Sequence, residues 1–165
     1  MTFDLMHGND WTGQDVAGWI ASEKLDGWRC VWTGSQLLTR SGNALSAPSW
    51  FTSALPATRL DCELHLGRGY NHNDTHRAIA ANEWQRLKLT AFDIPEIGLP
   101  VETAIQRLAL LPQTASVGFS IVRDIIHARQ MMREIVEQGG EGLMLRKPGS
   151  LYVDFRNDNL LKLKP

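Results

Sequence analysis

Along this chain, the runs of apolar and polar residues predict more strands than helices, so strands set the plan. Residues 17–23 and 27–32 read as two strands around a turn at Lys24-Leu25-Asp26. Thr33-Gly34-Ser35 signals a turn, residues 36–40 return as a third strand, and Ser41-Gly42-Asn43 breaks it. Residues 48–56, with Trp50 and Phe51, suit a short helix or an irregular packed segment. Residues 58–66 alternate as a strand closed by Gly67-Arg68-Gly69. Asn73 or Asp74 is expected to cap a helix running to about Leu87. Lys88 to Ile94 forms a strand stopped by Pro95, and Pro100 opens a helix over residues 101–111. After a strand at residues 117–122 comes the clearest helix, residues 124–138. Its apolar face is Ile125, Ile126, Met132, Ile135 and Val136, and Gly139-Gly140 ends it. Residues 141–146 and 160–163 are the last strands, whereas residues 1–13 show no period and read as a leader that packs late or lies across a surface.

Strands in hairpin-like pairs with few helices give an α+β fold built on antiparallel strands. A chain of 165 residues is long enough to bury its own core, and with no linker or repeat it reads as one domain over 1–165. Hydrophobic and charged fractions of 43% and 21% are those of an ordinary globular protein. No stretch has the apolar length of a membrane span, and the N-terminus lacks a signal pattern, so a cytoplasmic, membrane-free protein is expected. A net charge of −1 argues against indiscriminate coating of nucleic acid but leaves room for a local basic face. Cys30 and Cys62 are too few for a disulfide framework and form no metal-type pair. Reduced cysteines in strands, or one bridge between adjacent strands, fit them.

The chemistry centres on Ser22-Glu23-Lys24-Leu25-Asp26-Gly27-Trp28-Arg29, which spells K-x-D-G-x-R after a strand. Lys24 is a candidate nucleophile, since an amine attacks once deprotonated and a nearby cation such as Arg29 promotes proton loss. Gly27 permits a tight backbone path, and Asp26 is suited to hold loop amides. A surface turn with a salt-bridged lysine is the plainer alternative for this string alone. Further polar residues, however, punctuate the other strands: Thr39-Arg40-Ser41-Gly42, Asp61-Cys62-Glu63-Leu64, Ala91-Phe92-Asp93-Ile94, Glu141-Gly142-Leu143-Met144 and Leu161-Lys162-Leu163-Lys164. Charges within apolar strands are costly unless they meet partners or a ligand, so their convergence on one cleft would make a site.

Together these strings resemble the nucleotidyltransferase (adenylation) domain of the ATP-dependent DNA ligases, closest to the small bacterial and viral type. The superfamily also holds RNA ligases and capping enzymes. The resemblance covers residues 22–164 through S-E-K-L-D-G, L-L-T-R-S-G-N, E-L-H-L-G-R-G, F-D-I-P, G-G-E-G-L-M-L-R and L-L-K-L-K-P, in the family's order. It implies an ATP-grasp-like fold of antiparallel sheets flanked by helices, with the ligand cleft between the sheets. It also implies ATP and Mg²⁺ as cofactors, nicked double-stranded DNA as partner, and a monomer. Lys24 would take AMP from ATP, pass it to the 5′-phosphate of a nick, and the 3′-hydroxyl would then seal the strand. By the same resemblance Arg29 and Arg40 contact phosphate and ribose, Glu63 the ribose hydroxyls, Phe92 the adenine face and Glu23 the adenine edge. Glu141, helped by Glu63, would hold Mg²⁺, and Lys162 and Lys164 would flank the α-phosphate.

Two departures stand out. Cys62 occupies a position that is usually glycine, and the chain stops one residue after Lys164, where the family continues into an OB-fold domain. A natural single-domain ligase and a catalytic fragment both fit, and either is expected to seal pre-adenylated nicks better than it adenylates itself. An RNA ligase, a capping-type enzyme, or a non-catalytic nick-binding module are the alternatives. His72 and His76 have a zinc-compatible spacing without a third ligand, and Arg68, Arg77, Arg86 and Lys88 suit either a DNA backbone or a solvated face. No G-x-x-x-x-G-K-[ST] loop is present.

Overall fold

The computed structural model describes residues 4–165, and its strands sort into two sheets. Sheet A contains β1 (His7–Asp10), β2 (Ile20–Lys24), β7 (Ser120–Ile121), β8 (Gly142–Arg146) and β9 (Arg156–Leu163), in the order β1-β9-β8-β2-β7. Sheet B contains β3 (Trp28–Trp32), β4 (Leu37–Thr39), β5 (Leu60–His65) and β6 (Lys88–Asp93), in the order β4-β3-β5-β6. The helices are α1 (Ser49–Thr52), α2 (His72–Ala80), α3 (Val101–Leu110) and α4 (Ile125–Glu137), with a 3₁₀ turn at Trp84–Arg86.

Each sheet buries one face against helices. Leu60, Leu64, Ala78, Trp84, Ala104 and Leu108 form the core between sheet B, α2 and α3. Ala21, Leu143, Leu145 and Leu161 meet Ala128 and Met132 of α4 in a second core behind sheet A. The remaining faces of the two sheets look at each other, and the K-x-D-G turn is where the chain crosses from β2 in one to β3 in the other. The expected α+β arrangement, sheets flanked by helices with a cleft between them, is what the structure has.

Several local expectations are corrected. The stretch read as a leader contains β1, which runs parallel to β9, so sheet A is mixed rather than wholly antiparallel. His-Gly-Asn-Asp has little intrinsic strand preference; pairing with β9 supplies what the local sequence lacks. A Cβ on Gly8 would stand 2.6 Å from the Leu160 carbonyl oxygen, so only glycine permits this approach. Residues 1–3 of that stretch lie outside the described residues. Asn71, not Asn73 or Asp74, caps α2, with Asp74 reaching back to complete a capping box. The helix stops at Ala80, well before Leu87, and Asn82 takes a left-handed backbone (φ 57°) that redirects the chain. The strand expected at residues 117–122 shrinks to Ser120–Ile121, and Ile126 of α4 is exposed.

Cys30 and Cys62 are free, fully buried and directly opposite each other on β3 and β5. Burial holds the Cys62 thiol protonated, well above its ordinary pKa.

Candidate active site

The cleft encloses about 690 Å³, a usual size for a small-molecule pocket of roughly 300–1,000 Å³. Both sheets line it: Ser22, Glu23, Lys24, Met144 and Lys162 from sheet A, and Arg29, Glu63 and Phe92 from sheet B. Arg40, just past the end of β4, completes the rim.

Lys24 is the last residue of β2 and pairs in register with Gly142, the first of β8. That register sets Glu141 beside it, and Lys24 Nζ lies 2.8 Å from both Glu141 carboxylate oxygens. The expected cation beside the lysine is thus a carboxylate. Arg29 instead gives Nε and Nη2 to Asp61 at 2.9 and 2.6 Å, and its guanidinium carbon lies 5.3 Å from the centre of the Phe92 ring. Lys164 Nζ approaches Glu141 to 3.8 Å, while Lys162 Nζ sits 3.3 Å from Asp10 of β1.

Glu63 stands across from Arg29 in the β3–β5 ladder and accepts the Gly27 amide at 3.0 Å. Burial pushes its carboxyl up to about 7, against the lowering pull of the Gly27 N–H, Lys24 and Arg29. Asp26 accepts the His72 amide at 3.0 Å, which ties the lysine turn to the start of α2.

Seven of the nine expected site residues, Glu23, Lys24, Arg29, Arg40, Glu63, Phe92 and Lys162, line one cavity. Glu141 and Lys164 join them through ion pairs rather than by lining it.

Sequence reasoning missed other participants. Asp61 is completely buried and receives, besides Arg29, the Tyr152 hydroxyl at 2.9 Å; that hydroxyl in turn accepts the Met6 amide at 3.2 Å. Asp61 and its neighbour Glu63 share a strand face, a period-two signal that could have found it. Asp93 and Arg146 form a buried pair at 2.9 Å across the cleft wall. His7 lines the cleft, and burial together with Arg29, Arg40 and Arg156 pushes its imidazole down to about 4. The zinc spacing of His72 and His76 has another use. Both rings pack on Trp28, at 5.6 and 5.1 Å, and His72 Nδ1 meets the Gly27 carbonyl at 2.9 Å. Among the described residues, no three His, Cys, Asp or Glu side chains gather as a metal cage. No helix among them is long and apolar enough to cross a membrane.

No protein-family model matches the chain. A DNA ligase of Haemophilus influenzae is 34% identical over 169 residues, which covers 98% of this chain. The chain spans 63% of that relative's length. Among solved structures, a Lig E DNA ligase has a TM-score of 0.87 at 29% identity, over 98% of this chain and 68% of the other. Chlorella virus DNA ligase–adenylate has a TM-score of 0.78 at 21% identity, over 99% and 68%. The ATP-dependent DNA ligase of bacteriophage T7, in complex with ATP, has a TM-score of 0.74 at 15% identity, over 98% and 68%. The last two likenesses speak for the fold alone.

Proposed function

We propose that this chain, which is homologous to the DNA ligases and shares the fold of their nucleotidyltransferase domain, is the single catalytic domain of an ATP-dependent DNA ligase that seals nicked double-stranded DNA. The observation that carries the reading is the Lys24–Glu141 pair at the mouth of a cleft also lined by Glu63, Arg29, Arg40, Phe92 and Lys162. Lys24 Nζ, once freed of its proton, attacks the α-phosphorus of ATP. A P–N bond forms, the bond to the bridging oxygen breaks, and pyrophosphate leaves. AMP then moves to the 5′-phosphate of a nick, and the 3′-hydroxyl displaces it to close the strand. The protein's work in each step is positioning and charge neutralisation rather than bond-making of its own beyond Lys24.

Phe92 offers its ring to the adenine, with Glu23 at the base edge, and Glu63 accepts from the ribose hydroxyls. Arg29 and Arg40 bind phosphate and ribose oxygens, Arg29 braced from behind by Asp61. Lys162 and Lys164 bring positive charge to the phosphates. The donor set also suits Mg²⁺: Glu141 and Glu63 present hard carboxylate oxygens close to the charge of Lys24, and this cation needs only one or two carboxylates beside phosphate and water. Mg²⁺ bound there supplies neutralisation of phosphate charge.

The test is intact-mass spectrometry after incubation with ATP and Mg²⁺. Wild type gains one AMP and Lys24→Ala gains none; an adduct on both, or on neither, overturns the reading. Transfer from GTP instead of ATP would favour a capping-type enzyme. Gel sealing of nicked DNA against nicked RNA duplexes then fixes the polymer.

A further inference from the structure

Arg68, which the sequence offers either to a DNA backbone or to a solvated face, has its guanidinium engaged by two side chains of the protein itself. It follows β5 in the Gly67-Arg68-Gly69 loop. Its Nε and Nη2 hold the two oxygens of Glu23 at 3.0 and 2.9 Å, and Nη1 donates to the Gln138 side chain. Beside it the Gly69 amide donates to the Gly139 carbonyl at 2.9 Å.

These contacts join three segments, each carrying a residue of the cleft. Glu23 immediately precedes Lys24 on β2. Gln138 lies three residues before Glu141, at the end of α4. Arg68 itself lies five residues beyond Glu63 on β5. The join has no slack: a Cβ on Gly139 would lie 2.9 Å from the Gly69 nitrogen, and one on Gly140 would lie 3.0 Å from Glu23 Oε1 and 2.3 Å from Ile135 Cγ2. Here the loop after sheet B touches the segment entering β8 of sheet A, and Arg68 fixes their spacing.

We propose that Arg68 is a positioning residue for nucleotidyl transfer: through Glu23 and Gln138 it sets Lys24 and Glu141 in register with Glu63 across the two sheets. Arg68 itself does not line the cleft. An in-line attack tolerates little misplacement, since an error of about 1 Å costs on the order of 10²-fold in rate. A half-exposed ion pair contributes little to stability. Loss of Arg68 therefore weakens the chemical step far more than the fold. The proposal rests on the ligase reading above.

The experiment measures single-turnover lysyl-AMP formation on the full chain over a range of ATP concentrations, with the thermal midpoint of each variant. Arg68→Ala is expected to lower the maximal rate at least tenfold with little change in the ATP concentration giving half that rate. Its midpoint stays within a few degrees of wild type. Arg68→Lys recovers part of the rate. Gln138→Ala, which removes the other partner of Arg68, shows a smaller loss of the same kind, and adding it to Arg68→Ala makes that variant no worse, because both act on one clamp. A wild-type rate in Arg68→Ala overturns the proposal, as do multiplying losses in the double variant or a rate loss that simply tracks unfolding. Wild type failing to take up AMP would instead overturn the ligase reading, so the two failures are distinct.

Discussion

At the scale of single residues, the cleft is organised by carboxylates more than by its cations. Glu63 is the clearest case, because its folded pKa of about 7 stands above the ordinary 4.5. A raised carboxyl pKa means that the folded state binds the proton more tightly than the unfolded one between those values. The resulting stabilisation is full below pH 4.5 and is lost as the pH rises through 7. Glu63→Gln removes that dependence, so wild type should lose about 2–3 kcal/mol more than the variant between pH 5 and pH 8. Urea melts at the two pH values check it, and parallel slopes for the two proteins would contradict it. Asp61 shows what single-residue reading overlooks. It was legible as part of a charged strand, but its role depends on Tyr152, which lies far along the chain and closes over it only in three dimensions.

At the scale of elements, the β2–β3 turn is held by contact rather than by turn chemistry alone. A Cβ on Gly27 would stand 2.1 Å from the Leu64 carbonyl oxygen and 2.8 Å from His65 Cβ, both on β5. Gly27→Ala must lift the turn off that strand and break the Gly27–Glu63 hydrogen bond. A cost of about 2–3 kcal/mol or more follows, with loss of lysyl-AMP formation. Denaturant melts and AMP uptake measure both, and an unchanged melt would mean that the turn is looser than described. The same turn shows how much the sequence reveals. Strands β2, β3, β5, β6 and β8 carry clear alternation or punctuation, so their existence and much of the site they bear were readable. β1 and the end of α2 were not, because partners remote in sequence decide them: β9 pairs the first strand, and the packing of Trp84 follows the break at Asn82.

For the molecule as a whole, two cores lie back to back across a cleft that a bound nucleotide would bridge. A ligand touching both sheets stabilises them jointly, by about 2.7 kcal/mol at a hundredfold excess over its Kd. For a chain of this size that corresponds to a rise of roughly 5–10 °C in the thermal midpoint. ATP should produce this shift in Lys24→Ala as well as in wild type, since binding precedes bond formation; differential scanning fluorimetry reads it directly. A variant that no longer responds would mean that Lys24 is needed for binding itself.

The parallel pairing of β1 with β9 has a bearing on how the chain comes into being. A ribosome delivers β1 long before β9, its ladder partner among the described residues, so while the residues between them are made that edge stays unmatched. β9 also carries Lys162, so the cleft lacks part of its cationic wall until then. Nascent chains stalled short of β9 should therefore be digested readily within β1, and release from the stall should bring protection to both strands together.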